Sequence, residues 1–523
     1  MKQRLTICFF AFIACATVGW GELLRVPSQH ANITEAVSAS MRGDTIVLAT
    51  GHYHEVVPVP HSLTFASNWI FTHDSASIAT TQWSPEDSLF TTVARHERLT
   101  LAGIRFLPIG DPRQGVRILR GDSLHAVFQA CWFEGTFDST ANYGDSYIHS
   151  ANGSRFVFED CRFFGDWSGG RPYIQNFYGS IEIMRCSITG RAYRYPGFPT
   201  IYIRGDSTKI SDSYFSFDSW GLSVDGTFEI SGSHFYRTAV YSIINASQNQ
   251  HQKVVRNCIF DSCRAGPGIP IIESNSISPF NIENCVFQNC YTASGNGFAI
   301  IDSYLNLRMR HVIFRNIGVM QRVIASSFTD IDSCRFENTP LVLTMNHGYP
   351  QDQVTIRNTD FVNCANFIAA GVPPNIDSLF VPDCYWGNAS GPRHPWNPNG
   401  TGVMVPTWVN PFPFRTTPVF PQNEIGDPGH VTYSLPNSIE LLPAYPNPFN
   451  NSTTIQFSLP QATDAMVAVF DITGRKVATL TNSRLTAGRS TLIWNPKQLS
   501  TGTYFVRLST PNQQVTRPVT YLK

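Results

Sequence analysis

The sequence lacks any imbalance of charge: 38 lysines and arginines meet 38 aspartates and glutamates in 523 residues, and charged residues are only 15% of the chain. That balance removes the electrostatic reason to expect a nucleic acid or an anionic membrane as partner. Beyond the N-terminus no apolar run approaches the ~20 residues of a membrane-spanning helix, so no transmembrane segment is expected in the mature chain. Helical periodicity is scarce. No cysteine pair has metal-ligand spacing, so no metal site or cofactor is evident, and no acidic cluster supports calcium. What abounds is Gly (37), Pro (34) and Phe (37), a composition suited to short strands joined by turns. The length exceeds what one hydrophobic core sustains, which favours several domains or a repeat stack.

Residues 1–21 read as a secretory signal peptide: Lys2 and Arg4, an apolar run from Ile7 to Val18, then small residues around Gly19 and Gly21, with a cut near Gly21. Cys15 leaves a lipoprotein variant open, although Phe12 and Ile13 make a poor lipobox.

A repeat then fixes the fold. Short segments superpose on a column of small residues: Ile104, Cys131, Cys161, Cys186, Ser213, Ser233, Cys258, Cys285, Val312, Cys334, Thr359 and Cys384, at steps of 20 to 30 residues. Two residues later stand Phe106, Phe133, Phe163, Ile188, Phe215, Phe235, Phe260, Phe287, Phe314, Phe336, Phe361 and Trp386. Residues two apart on a strand share a face, so both columns point inward. An apolar residue, Phe158 or Ile183 for example, stands three before the small one and lies across a turn. Between them Asp160, Asp212, Asn257, Asn284, Asn358 and Asp383 suit a one-residue left-handed corner. Coils stacked ~4.8 Å apart would line the rings up in one file.

The pattern resembles the pectate-lyase-like right-handed parallel β-helix superfamily over about residues 44 to 410. The opening from Gly43 to Leu48 with Gly51, Tyr53 and Glu55, and the closing Tyr385 to Asn388, Gly391, Pro392, Asn399 to Gly402 and Trp408, are similar to the first and last coils of such helices. Ile33, Ala36, Val37 and Met41 fall at helical spacing in Asn32 to Met41, predicting a short helix over the open end. The expectation is all-β: a right-handed parallel β-helix of about 12 coils at 22–410, a Pro-rich linker at 411–436 and a small Ig-like β-sandwich at 437–523. Of the ten cysteines outside the leader, seven occupy the small column, while Cys263, Cys290 and Cys364 lie five positions after it, which reads as packing. Disulfides remain the rival reading for an exported chain.

The tail carries another pattern: Tyr445, Pro446, Asn447, Pro448, Phe449 and Asn450, then Asp471 with Gly474 and Arg475, Trp494, and Gly502 with Tyr504. It resembles the type A C-terminal sorting domain of the type IX secretion system. The resemblance implies export through the periplasm, recognition by the type IX machinery, and release or attachment at the outer surface. A plain Ig-like accessory module is the alternative.

Fold does not settle function. Asn358-Thr359-Asp360 matches one element of a polygalacturonase site, but no partner motif follows, and the first two already belong to structural columns. Unusual surface chemistry concentrates between Asp166 and Arg204, where Trp167, Arg171, Tyr173, Tyr178, Arg191, Tyr193, Arg194 and Tyr195 could hold an extracellular polysaccharide. Ordinary loop packing is the rival explanation. The expectation is therefore a secreted or cell-surface protein that binds carbohydrate or adheres without catalysis. The alternative is a polysaccharide lyase or glycoside hydrolase with a divergent site, which needs converging carboxylates or a carboxylate-bound metal.

Overall fold

The computed structural model describes residues 21–522 apart from internal segments, the longest being 108–124, 136–147, 166–173, 191–200, 346–353, 369–378, 421–439 and 442–448. The chain divides into two units, Met1–Gly429 and His430–Lys523. The proposed eight-residue sugar-binding set, the leader up to Trp20 and Tyr445 to Pro448 lie outside the described residues.

The first unit is a parallel β-solenoid, consistent with the expected right-handed helix. Among the described residues its strands form three long parallel ladders, beside shorter two-stranded ones such as Arg264–Ala265 with Tyr291–Thr292. The first includes His125–Gln129, Arg155–Glu159, Ser180–Met184 and Phe280–Glu283, the segments before the corner. A second, 15-stranded ladder carries the aromatic column. A third includes Ile148–Ser150, Ile272–Ser274 and Ile301–Ser303, and the long strands Ile201–Ser211 and Leu222–Ser231 join it to the first. The rings do stand in single file. Neighbours such as Phe133 and Phe163, Phe260 and Phe287, and Phe336 and Phe361 are in register and stacked, with centroids 4.4, 4.5 and 5.6 Å apart. Each buried ring contributes roughly 1.5–3 kcal/mol by leaving water. The file also extends below the repeat read from sequence, since Trp83 pairs with Phe106 and Tyr53 with Trp83.

The corner falls where the sequence placed it. Asp160, Asp212, Asn257, Asn284, Asn358 and Asp383 all have φ between 48° and 57°. So does His311 at 53°, and so do Ala130, Arg185 and Ser333 at 51° to 52°, where no local side-chain preference favours the left-handed region. Stacking outweighs the cost of about 1–2 kcal/mol that such a residue incurs. A second left-handed corner, not anticipated from the sequence, follows four residues after the small column at Arg237, Ser262, Asn289, Asn316, Asn338 and Asn363. Its asparagines form a ladder of amides, with Asn316 donating to Asn289 at 3.3 Å, Asn338 to Asn316 at 2.8 Å and Asn363 to Asn338 at 3.2 Å.

All ten described cysteines are free and buried. The thiols donate weakly to main-chain carbonyls: Cys131 Sγ lies 3.3 Å from Leu101 O on the coil below, and Cys263 Sγ 3.3 Å from Phe235 O. Ser213, Ser233 and Thr359 instead donate to the carbonyl two residues back, at 2.8 to 2.9 Å. Most members of the column are thus small side chains with one donor, whereas Ile104 and Val312 fill it with apolar side chains alone. Burial pushes the Cys334 and Cys384 thiols up to about 12. Thiolate, not thiol, is the nucleophile. The folded protein is therefore expected to react with a thiol reagent such as DTNB only when denaturant opens the coils, and fast labelling of several thiols in the native state would contradict this packing.

At the N-terminal end a helix, Ile33–Ala39, is capped by Asn32, whose side chain accepts from Glu35 N. Ile33, Ala36 and Val37 are buried as expected, but Met41 is 73% exposed because the helix ends at Ala39 and the chain turns extended at Ser40. At the other end the solenoid continues past residue 410: Phe414–Arg415 pairs with Cys384–Tyr385. Gly391 (φ 80°) sits against the Phe414 ring, where a Cβ would fall 2.4 Å from it.

The second unit has two antiparallel sheets. One holds Glu440–Leu441, Thr453–Leu459 and Gly488–Trp494, and the other Lys476–Leu485, Thr463–Phe470, Gly502–Ser509 and Gln514–Tyr521. They share one core that includes Phe457, Val467, Trp494, Val506 and Leu508.

Candidate functional site

In the sequence Trp167, Arg171 and Tyr173 come after the described strand Arg162–Gly165 and Arg191, Tyr193, Arg194 and Tyr195 after Ser187–Gly190, both of the second ladder, while Tyr178 comes after Ile174–Phe177 of the third. The outer face of the second ladder is itself described on these coils and their neighbours. Because the small and aromatic columns point inward, the residue between them and the one after the aromatic point outward. On consecutive coils these outward positions are Trp132 and Glu134, the latter paired with Arg105 of the coil below, then Arg162 and Phe164, then Ser187 and Thr189, then Tyr214 and Ser216, then His234 and Tyr236.

The outward rings touch each other across coils. Trp132 meets Phe164 edge-on at 6.2 Å, and Tyr214 meets His234 at 5.5 Å. Guanidinium groups cover two of the rings: Arg162 lies 5.3 Å from the Trp132 centroid and Arg237 5.1 Å from that of Tyr236. Farther round the second corner Arg264 lies 5.8 Å from the ring of Tyr291, itself 42% exposed. Partial burial raises the Tyr214 hydroxyl, so at neutral pH it is a protonated phenol able to donate and accept. Between Phe164 and Tyr214 the small Ser187 and Thr189 leave a shallow step one coil wide. Sequence reading fixed on the loops and missed this face, although the register that locates the Phe column also locates its outward neighbours.

The first ladder's outer face is different in kind. Its charges alternate in sign and join coil to coil: Arg155 with Glu182 at 2.9 Å, Arg185 with Glu159 and Asp160, Arg256 with Glu229, and Arg357 with Asp332 at 3.0 Å. Such exposed pairs contribute only about 0–1 kcal/mol each. Their arrangement neutralises the face.

Asp360, the acid of the NTD triplet, is fully buried although it points outward. It accepts from Val419 N at 2.7 Å and Phe420 N at 3.0 Å, and Arg335 lies 3.4 Å away, also buried. Arg335 in turn donates to Phe420 O at 3.4 Å. Burial pushes the Asp360 carboxyl up against the pull of the two amides and of Arg335. These contacts hold a strap, residues 414–420, on the outside of the ladder. Asp360 is engaged in that structural task, which the sequence reading of the triplet did not assign to it.

In the second unit Phe449 is buried between Trp494 and Tyr521, at 5.3 and 5.2 Å, while Asn450 is exposed. Asp471 closes a hairpin turn. Its carboxylate accepts from the Thr473 hydroxyl at 2.6 Å and from Arg475 N and Nε at 3.0 Å, while Gly474 supplies a φ of 81°. The Thr473 hydroxyl and the neighbouring amides hold the Asp471 carboxyl below the usual carboxylate range. Tyr504 packs on Trp494 and donates to Ser500 O at 2.7 Å, two residues after its strand opens at Gly502. The motif residues that the structure describes thus converge on one core and one turn. Residues 443–520 match the family of secretion system C-terminal sorting domains. A sorting domain of this kind directs its chain to the cell surface or the extracellular space and is recognised by the type IX machinery. No curated protein and no solved structure matches the chain. Among the described residues no helix is long and apolar enough to cross a membrane.

Proposed function

We propose that the solenoid delivered by this sorting domain binds carbohydrate, as an adhesin or polysaccharide-binding protein that does no chemistry on its ligand. Export would begin at the signal peptide of residues 1–21. The single observation that carries the reading is the outward aromatic row Trp132, Phe164, Tyr214 and Tyr236, half-exposed on a rigid ladder. Rings so held lose little entropy on binding, and their faces stack on the C–H faces of sugars. The ~4.8 Å coil spacing is comparable with the advance of one hexose in an extended chain. The loops bearing Trp167, Tyr173, Tyr193 and Tyr195 would add to this surface.

A glycan array with the full mature chain, followed by reducing-sugar and unsaturated-product assays on each hit, tests this directly. Binding without product is expected. Trp132→Ala together with Tyr236→Ala should weaken the hit at least ~10-fold, the loss of one well-placed aromatic anchor. Release of product would transfer the protein to the lyases or hydrolases.

A further inference from the structure

Arginines of the second ladder such as Arg105 and Arg335 pair with the acids Glu134 and Asp360, but three arginines on and beyond that ladder are engaged differently from those of the first. On the first ladder each guanidinium noted above meets a carboxylate of a neighbouring coil: Arg155, Arg185, Arg256, Arg310 and Arg357 pair with Glu182, Asp160, Glu229, Asp330 and Asp332. Arg162, Arg237 and Arg264 instead lie over the rings of Trp132, Tyr236 and Tyr291, and no ion pair among the described residues includes them. All three are exposed. A guanidinium over an aromatic face keeps its N–H fork free at the edge, and that fork matches carboxylate and sulfate groups bidentately.

From Trp132 to Tyr291 the three pairs climb six coils, a track of ~29 Å at ~4.8 Å per coil. They begin on the second ladder and pass round the second corner. Among the described residues no ion pair engages these three exposed cations, so acidic groups of a ligand can meet them, whereas a neutral glycan would gain nothing from their charge. We infer that the ligand of this face is an anionic polysaccharide, laid along the coil axis with its acidic groups on Arg162, Arg237 and Arg264 and its sugar rings on the aromatics beneath. This rests on the carbohydrate-binding reading and names the class of glycan. Carboxylate and sulfate share the required chemistry.

The test measures binding of the full mature chain to alginate, dextran sulfate and neutral dextran, with single-stranded RNA as a different polyanion. Expected are binding to one or both acidic glycans, none to dextran, and affinity that falls as sodium chloride rises. Preference for alginate assigns the site to carboxylates and for dextran sulfate to sulfates. The triple variant Arg162→Gln, Arg237→Gln, Arg264→Gln should lose at least ~10-fold in affinity, whereas Arg256→Gln with Glu229→Gln on the first ladder should change nothing. An unchanged melting temperature excludes misfolding of either variant. Dextran bound as tightly as alginate, or a triple variant that binds normally, overturns the inference and leaves carbohydrate binding standing. RNA bound in preference to every glycan overturns it too. No binding to any glycan overturns both.

Discussion

Replacing Asp360 by alanine is expected to lower stability by about 3–5 kcal/mol, the usual cost of removing one member of a buried ion pair. The variant would leave Arg335 buried without the carboxylate that faces it, and would deprive Val419 N and Phe420 N of their acceptor. Urea unfolding measures the loss. Limited proteolysis should report new cleavage within residues 411–420 before the coils yield. Asp360→Asn, which keeps a carbonyl oxygen for the amides, should fall between the wild type and alanine. Wild-type stability and protease resistance in Asp360→Ala would mean that the strap is held by something other than this carboxylate.

A comparable loss is expected inside the stack. Phe287→Ala removes a ring wedged between Phe260 at 4.5 Å and Phe314 at 4.9 Å, and fully buried Phe→Ala changes cost about 3–5 kcal/mol. A solenoid contacts only its neighbouring coils. Amide exchange should therefore accelerate first in the strands around Val286–Gln288 and least near Trp83. Uniform acceleration along the whole stack would show that the coils melt as one body.

The features legible in the sequence are those set by a single local requirement repeated many times. An inward ring, a small neighbour and a left-handed corner each leave a mark at fixed spacing, so the file from Phe106 to Trp386 could be read without coordinates. Tyr53 and Trp83 escaped because no cysteine or asparagine precedes them to signal the register. The second corner escaped for a different reason. Its asparagines stand beside Cys290 and Cys364, which had already drawn a packing explanation, and the amide ladder exists only once the coils are stacked. Asn358 and Thr359 could be assigned to structural columns, but the task of Asp360 depends on Val419 and Phe420, some sixty residues later in the chain. Of the candidate site, the sequence reading named loop residues such as Trp167 and Tyr193, which lie outside the described residues, whereas the outward row of Trp132 and Tyr236 becomes visible only when inward and outward positions are sorted strand by strand.

The strap has a mechanical corollary. After Phe414–Arg415 the polypeptide does not leave from the tip of the solenoid but doubles back over its side, past Asp360 and on to Arg335. Tension applied beyond Phe420, as when the export machinery grips the tail, would first load the hydrogen bonds from Val419 N and Phe420 N to the Asp360 carboxylate. The terminal coil would then be shielded from being peeled away strand by strand.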